Sequence, residues 1–442
     1  MAVLRSATLL TRWRAALLVL VGTVGLAGCG SEPVPTAPPT TSASTFEQER
    51  TDGLDRLLEA WGTAVRSDDV AALRSLFDSS ADPAFVDAEI RRAQNLVGVP
   101  LAEFGYRIDP DTTETPVPSE TADAIAGATD VWAPPVVLRY AYAGADIGPT
   151  SRPVALLVAR RGDDWKLVSD STLPGSTRTT WRGPWDFGSV VVRSVDTAGT
   201  TSLVLGHEDR RATIDALAAE TAAAVPAVTD FWGVGWSRRA VVVVASSDAE
   251  FAATTGTTTS NTDTAATTVS DPVTSGLVTG QRVVFSPGAQ DRLTDFTRST
   301  VLRHELTHVA ARVATVDTAP LWMLEGFADY SGYRGSGRSF TELAPTLAAV
   351  VRAAGPPRVL PIDADFGAGG ARGATAYESA WSVSAYVADR FGEPMLRTLY
   401  RAVAAGPSNP TVLDANLRRT LGVGTDDFLN GWGAWVNERA NS

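Results

Sequence analysis

Arg303–Arg312, RHELTHVAAR, holds two of the chain's three histidines, His304 and His308, four residues apart with Glu305 beside the first. The spacing predicts a helix through this stretch, with Val301, Leu302, Leu306, Val309 and Val313 turned toward a core. Side chains four apart on a helix stand about 5–6 Å apart at Cβ, near enough for two imidazoles to hold one ion. Glu305 projects beside them, where a carboxylate can take a proton from a water on that ion. The alternative is a plain helix with two solvated histidines, and the surrounding sequence decides between them.

A catalytic zinc ion needs three protein ligands and one open position. The His-Glu-x-x-His arrangement is that of zinc peptidases. In metzincins a glycine and a third histidine follow at positions that are Ala311 and Ala314 here, which excludes that family. A glutamate on a following helix is the other source, and PLWMLEGFADY (Pro320–Tyr330) supplies Glu325. This stretch resembles the W-L-x-E-G-F-A helix of the gluzincins, the class of thermolysin and the zinc aminopeptidases. The resemblance runs from roughly Arg282 to Gly392. It implies one Zn2+ ion with His304, His308 and Glu325 as ligands and Glu305 as general base toward the zinc-bound water. It also implies that Asp329 accepts a hydrogen bond from the first ligand histidine, which would fix that ring's tautomer and orientation. Asp317 is a nearer acid, but its TVDTAP loop lacks the flanking pattern.

A tetrahedral oxyanion needs a second stabiliser besides the metal. Thermolysin-type enzymes use a later histidine, and no histidine follows His308. Tyr377, in AYESAWSVSAYVADRFG, begins a helix that resembles the aminopeptidase Y-E-K-G segment, so the resemblance implies that its hydroxyl binds the oxyanion. Tyr386 is expected to pack against the catalytic helices, and His207, in LVLGHEDR, reads as a structural strand-end residue. Aminopeptidases also carry a Gly-x-Met-Glu-Asn segment whose glutamate holds the substrate amine. The matching stretch here, RVVFSPGA (Arg282–Ala289), has no such acid and reads as an edge strand open to an extended peptide. An endopeptidase is therefore favoured over an aminopeptidase.

At the N-terminus, Arg5, Arg12 and Arg14 precede an apolar run from Ala15 to Ala27, too short to span a bilayer. Leu26–Cys29, LAGC, resembles the bacterial lipobox and implies lipidation of Cys29, the chain's one cysteine. Residues 1–28 read as a signal peptide and 29–47 as a Pro/Ser/Thr-rich tether. The expected product is a bacterial lipoprotein, extracytoplasmic and held at the cell membrane by its N-terminal lipid. A formal net charge of −12 disfavours a nucleic-acid surface.

The body reads as α+β in two parts. Residues 48–180 begin with amphipathic helices, around Leu54 to Val65, to Phe77, and over DPAFVDAEIRRAQNL. Short β-type runs follow, ending at DWKLVS. Helices before a curved antiparallel sheet resemble the NTF2-like cone fold. Residues 181–442 would be the peptidase domain, mostly helical in its C-terminal half, with a helix over about 212–231 and a buried strand in RRAVVVVASS. The Thr-rich stretch 252–276 reads as a long mobile loop. The function expected is zinc-dependent cleavage of a peptide or protein substrate at the cell envelope. The alternative is a non-catalytic zinc-containing lipoprotein that binds or scaffolds through the NTF2-like part.

Overall fold

A computed structural model describes residues 41–257, 264–407 and 409–442. The expected signal peptide, Cys29 and most of the tether lie outside the described residues. The end of the tether does not stay extended, because α1 (Thr41–Arg66) already begins there. α2 (Val70–Ser75) and α3 (Pro83–Asn95) follow, each capped by an aspartate side chain, Asp69 and Asp82, that accepts a backbone N–H of the first turn. Next come β1 (Leu101–Ile108), a short α4 (Ser119–Asp123), β2 (Asp130–Trp132), β3 (Val136–Tyr142), β4 (Thr150–Val154), β5 (Leu157–Arg161) and β6 (Asp164–Ser169). In place of one curved sheet, the strands form two antiparallel three-stranded sheets, ordered β1-β3-β4 and β2-β5-β6. Their interior is filled. Trp61 stacks on Tyr106 and donates to Glu89, and Arg92 pairs with Glu89 and Asp186. Burial, opposed by Arg92, pushes the Glu89 carboxyl up to about 7.

The second half is organised by a five-stranded sheet ordered β10-β11-β9-β8-β7. Its strands are β7 (Val191–Asp196), β8 (Thr201–Gly206), β9 (Val241–Val244), β10 (Ala266–Val269) and β11 (Arg282–Phe285). β8, β9 and β11 run parallel, and β7 and β10 close the two edges antiparallel. Side chains alternate across this sheet as strand geometry requires. Leu203, Leu205, Val241, Val243, Val269 and Val284 join the core of the N-terminal unit, while Val204, Val242, Val244, Val283 and Phe285 join the core made with the helices. One face of the sheet is thus covered by the N-terminal unit, and β9 is buried on both sides, as its unbroken valines require.

Two expectations are corrected by the pairing. RVVF is not an edge: β11 lies between β9 and β10, and all four of its residues are buried. The Thr-rich stretch 252–276 is not one mobile loop. It takes in the end of α6 (Asp248–Thr255) and β10, which is itself the edge strand. Within it, residues 258–263 lie outside the described residues. Threonine is β-branched and suits a pleated strand, which is why ATTV pairs there, with all four side chains buried.

The helices of this half are α5 (Arg211–Trp232) and α6, then α7 (Ala289–Arg292), α8 (Asp295–Ala311), α9 (Leu321–Tyr333), α10 (Phe340–Leu343), α11 (Pro345–Ala354) and α12 (Asp363–Phe366). α13 (Gly370–Phe391), α14 (Glu393–Val403), α15 (Pro410–Leu421) and α16 (Thr425–Asn441) complete the chain. α8 ends at Ala311, so Val313 sits in a following 3-10 turn and is 52% exposed instead of facing the core. No helix among the described residues is long and apolar enough to cross a membrane.

His207 directly follows β8 and is buried, with Nε2 3.0 Å from Glu250 Oε1 and Nδ1 3.1 Å from the Ser189 carbonyl. Burial opposes its charging, but the Glu250 carboxylate outweighs burial and raises the imidazole above its ordinary value. A histidine raised on folding adds stability that is full below about pH 6.5 and is lost as pH rises through the folded value. The gap in melting temperature between wild type and His207→Gln is therefore expected to be wider at pH 5.5 than at pH 8.5. An equal gap at both would show that the pair does not charge.

Candidate metal centre

α8 starts with a reciprocal cap in which Thr294 Oγ1 accepts the Thr297 N–H and Thr297 Oγ1 accepts the Thr294 N–H. Its helical repeat puts His304 and His308 on one edge, with ring centroids 4.8 Å apart. Pro320 precedes α9, and the freed N–H of Leu321 donates to Asp363 at 2.9 Å. α9 then passes close to both neighbours because two glycines allow it. A Cβ on Gly326 would stand 2.1 Å from the Ala380 carbonyl oxygen of α13, and one on Gly332 would stand 2.9 Å from the Thr300 carbonyl oxygen of α8. The approach at Gly332 brings α9 against α8, the helix of the two histidines, and Glu325 lies on α9.

His304, His308 and Glu325 are all buried and offer ligand atoms within 4.8 Å of one another. The two Nε2 atoms are 3.0 Å apart, His304 Nε2 lies 3.3 Å from Glu325 Oε2, and His308 Nε2 lies 3.8 Å from Glu325 Oε1. Three ligand atoms set tetrahedrally about 2.0–2.2 Å from a zinc ion would stand about 3.3–3.6 Å from each other. The two histidines approach different oxygens of the Glu325 carboxylate, at distances close to that range, and two imidazoles with one carboxylate form a donor set suited to zinc. Asp317, the rival acid, instead accepts from Arg312 at 3.0 Å.

Asp329 lies one turn beyond Glu325 on α9, with Oδ1 2.8 Å from His304 Nδ1. That contact places the His304 proton on Nδ1 and turns Nε2 toward the other two groups. Burial disfavours charging His304, but Asp329 and Glu325 overcome it and hold its pKa well above the ordinary value. Burial, helped by the charge on His304, lowers the His308 imidazole below its ordinary value. Burial also raises Asp329, against the pull of His304.

Glu305 is 1% exposed, and its carboxylate Oε2 accepts a hydrogen bond of 2.7 Å from Thr268 on β10. Nothing local to RHELTH announces Thr268. The β-branched run ATTV was the available signal, and its position depends on pairing with β11. Tyr377 does not begin a helix but lies inside α13, half-buried, with its ring edge-on to Phe366 at 5.0 Å. It is one turn before Ala380, the residue against Gly326. Tyr386 turns away from the site: it packs on Phe391, Phe428 and Trp435, the last two from α16 and not from α8 or α9.

No protein-family model matches this chain, and no curated protein matches it in sequence. Among solved structures, it is similar at 15% identity to an M1 zinc metallopeptidase from Deinococcus radiodurans, over 70% of this chain and 61% of that one, with a TM-score of 0.36. A glutamate-to-alanine mutant of a two-domain M1 zinc metallopeptidase bound to L-tryptophan matches at 15% identity, over 55% of this chain and 52% of that one, with a TM-score of 0.34. A glutamate-to-alanine mutant from Deinococcus radiodurans bound to a Tyr-Ser-Ala substrate matches at 15%, over 62% and 58%, with a TM-score of 0.33. The chain spans between about half and three-fifths of the length of these proteins.

Proposed function

We propose that this chain is a zinc-dependent peptidase of gluzincin type, and that it cleaves internal peptide bonds at the bacterial cell envelope. The observation that carries the reading is the buried trio of His304, His308 and Glu325, with Asp329 fixing the His304 ring and Glu305 beside them. In this reading the trio holds one zinc ion, which supplies Lewis-acid polarisation of the scissile carbonyl and lowers the pKa of water. Glu305 takes the proton of the attacking water and passes it to the leaving amine. Tyr377 helps hold the oxyanion. The substrate lies extended along β10, whose outer edge ends the sheet beside Glu305. Cys29 carries the lipid that anchors the chain, and the helices and antiparallel sheets within residues 48–180 form the NTF2-like unit.

Purified protein is expected to hold about one zinc per chain and to cleave peptides away from their ends in a mixed peptide library. Zinc-loaded protein that cleaves nothing would transfer the role to the scaffold reading. Asp329→Asn is expected to weaken zinc affinity by about 10–100-fold, measured by competition with a chelating dye. Unchanged affinity would remove Asp329 from the site.

A further inference from the structure

A helix fixes where Glu305 starts but not how its carboxylate is turned. The terminal torsion of a glutamate is broad and roughly two-fold, so its plane needs an external contact to hold one rotation. Thr268 supplies one from a different element. Its Oγ1 donates to Glu305 Oε2 at 2.7 Å and also lies 3.1 Å from the Glu305 carbonyl oxygen. The strand that carries it is fixed in register, with Thr268 opposite Val283 in the β10–β11 ladder. Packing alone does not call for threonine here. Valine has the same branched shape and an equal liking for strands, yet it would bring no hydroxyl to the carboxylate.

We propose that Thr268 is a positioning residue for Glu305, and that the edge strand proposed to receive the substrate also sets the orientation of the general base. This rests on the peptidase reading above. Thr268 touches no reacting atom. It acts by holding the carboxylate in the plane from which a proton can be taken, so its loss affects turnover more than substrate binding. A substrate paired along β10 borders the same strand, so displacing that edge displaces the Thr268 contact with it.

Two variants and two readouts test this. Thr268→Val is expected to lower kcat by about 10–100-fold, the range for a hydrogen bond to a charged group, with KM within about twofold of wild type. Thr268→Ser, which keeps the hydroxyl, is expected to restore kcat to within about threefold of wild type. The second readout needs no turnover: calorimetric binding of acetohydroxamate to Co2+-loaded protein. Acetohydroxamate chelates the metal and shares its acidic proton with a neighbouring carboxylate. Its Kd is expected to rise about tenfold in Thr268→Val and to stay near wild type in Thr268→Ser, with equal Co2+ content in all three. Co2+ binding with Thr268→Val equal to wild type in both readouts would overturn this inference alone. Equal losses in both variants, with lowered melting temperatures, would make Thr268 a packing residue and overturn it too. Wild-type protein that takes up no Co2+ would overturn the metal-centre reading, and this inference with it.

Discussion

Glu305→Gln is expected to lower kcat by about 10²–10⁴-fold while zinc stays near one ion per chain. The amide has nearly the volume of the carboxylate, which matters at a position 1% exposed. Its oxygen can still accept from Thr268, so the surroundings need not move. Only the capacity to take a proton is removed. Parallel measurements of turnover and of zinc by atomic absorption check the result, and wild-type turnover in the variant would sink Glu305 as the base. Glu325→Ala should behave oppositely, losing the metal first. If its zinc affinity equals wild type, the third donor lies elsewhere.

The largest effect on stability is expected from Asp146→Ala. Arg282, on β11, donates to both carboxylate oxygens of Asp146 at 2.6 and 2.8 Å, and the two side chains are only 3% and 6% exposed. Asp146 belongs to the turn after β3 in the N-terminal unit, so the pair ties that unit to the central sheet. Removing the acid leaves a buried guanidinium without its counter-charge, which costs about 3–5 kcal/mol. Contacts of Arg282 with Tyr140 and Tyr142 would not replace it. Urea unfolding followed by fluorescence measures the loss. The double variant Asp146→Leu with Arg282→Met should regain most of it, because an apolar pair of similar volume removes the desolvation penalty. A loss below about 1 kcal/mol in the single variant, the range of exposed pairs, would show that water reaches the bridge.

The same pair illustrates what sequence reading could not reach. Asp146 and Arg282 are 136 residues apart, and neither sits in a motif. Asp329 was legible because it lies on the same helix as Glu325 at a helical interval, and its partner His304 belongs to a pattern of its own. The sequence pattern puts Tyr377 on a helix, but its depth within α13 depends on how far Gly370–Ala376 continue the helix upstream. In the sequence RVVF reads equally as an edge because its neighbours are set by pairing order, although an unbroken apolar run favours an interior strand.

By itself the sequence determined the groups that share a helix: His304 with His308, and Glu325 with Asp329. Helical repeat is local, and side chains four apart must share a face wherever that helix packs. The tertiary structure alone decided that the two helices meet at Gly332 while Gly326 packs α9 on α13, that β10 and not β11 ends the sheet, and that Thr268 reaches Glu305. Those facts depend on strand order and interhelix approach, which are settled by contacts between segments far apart in the chain and by the space that a missing Cβ leaves open.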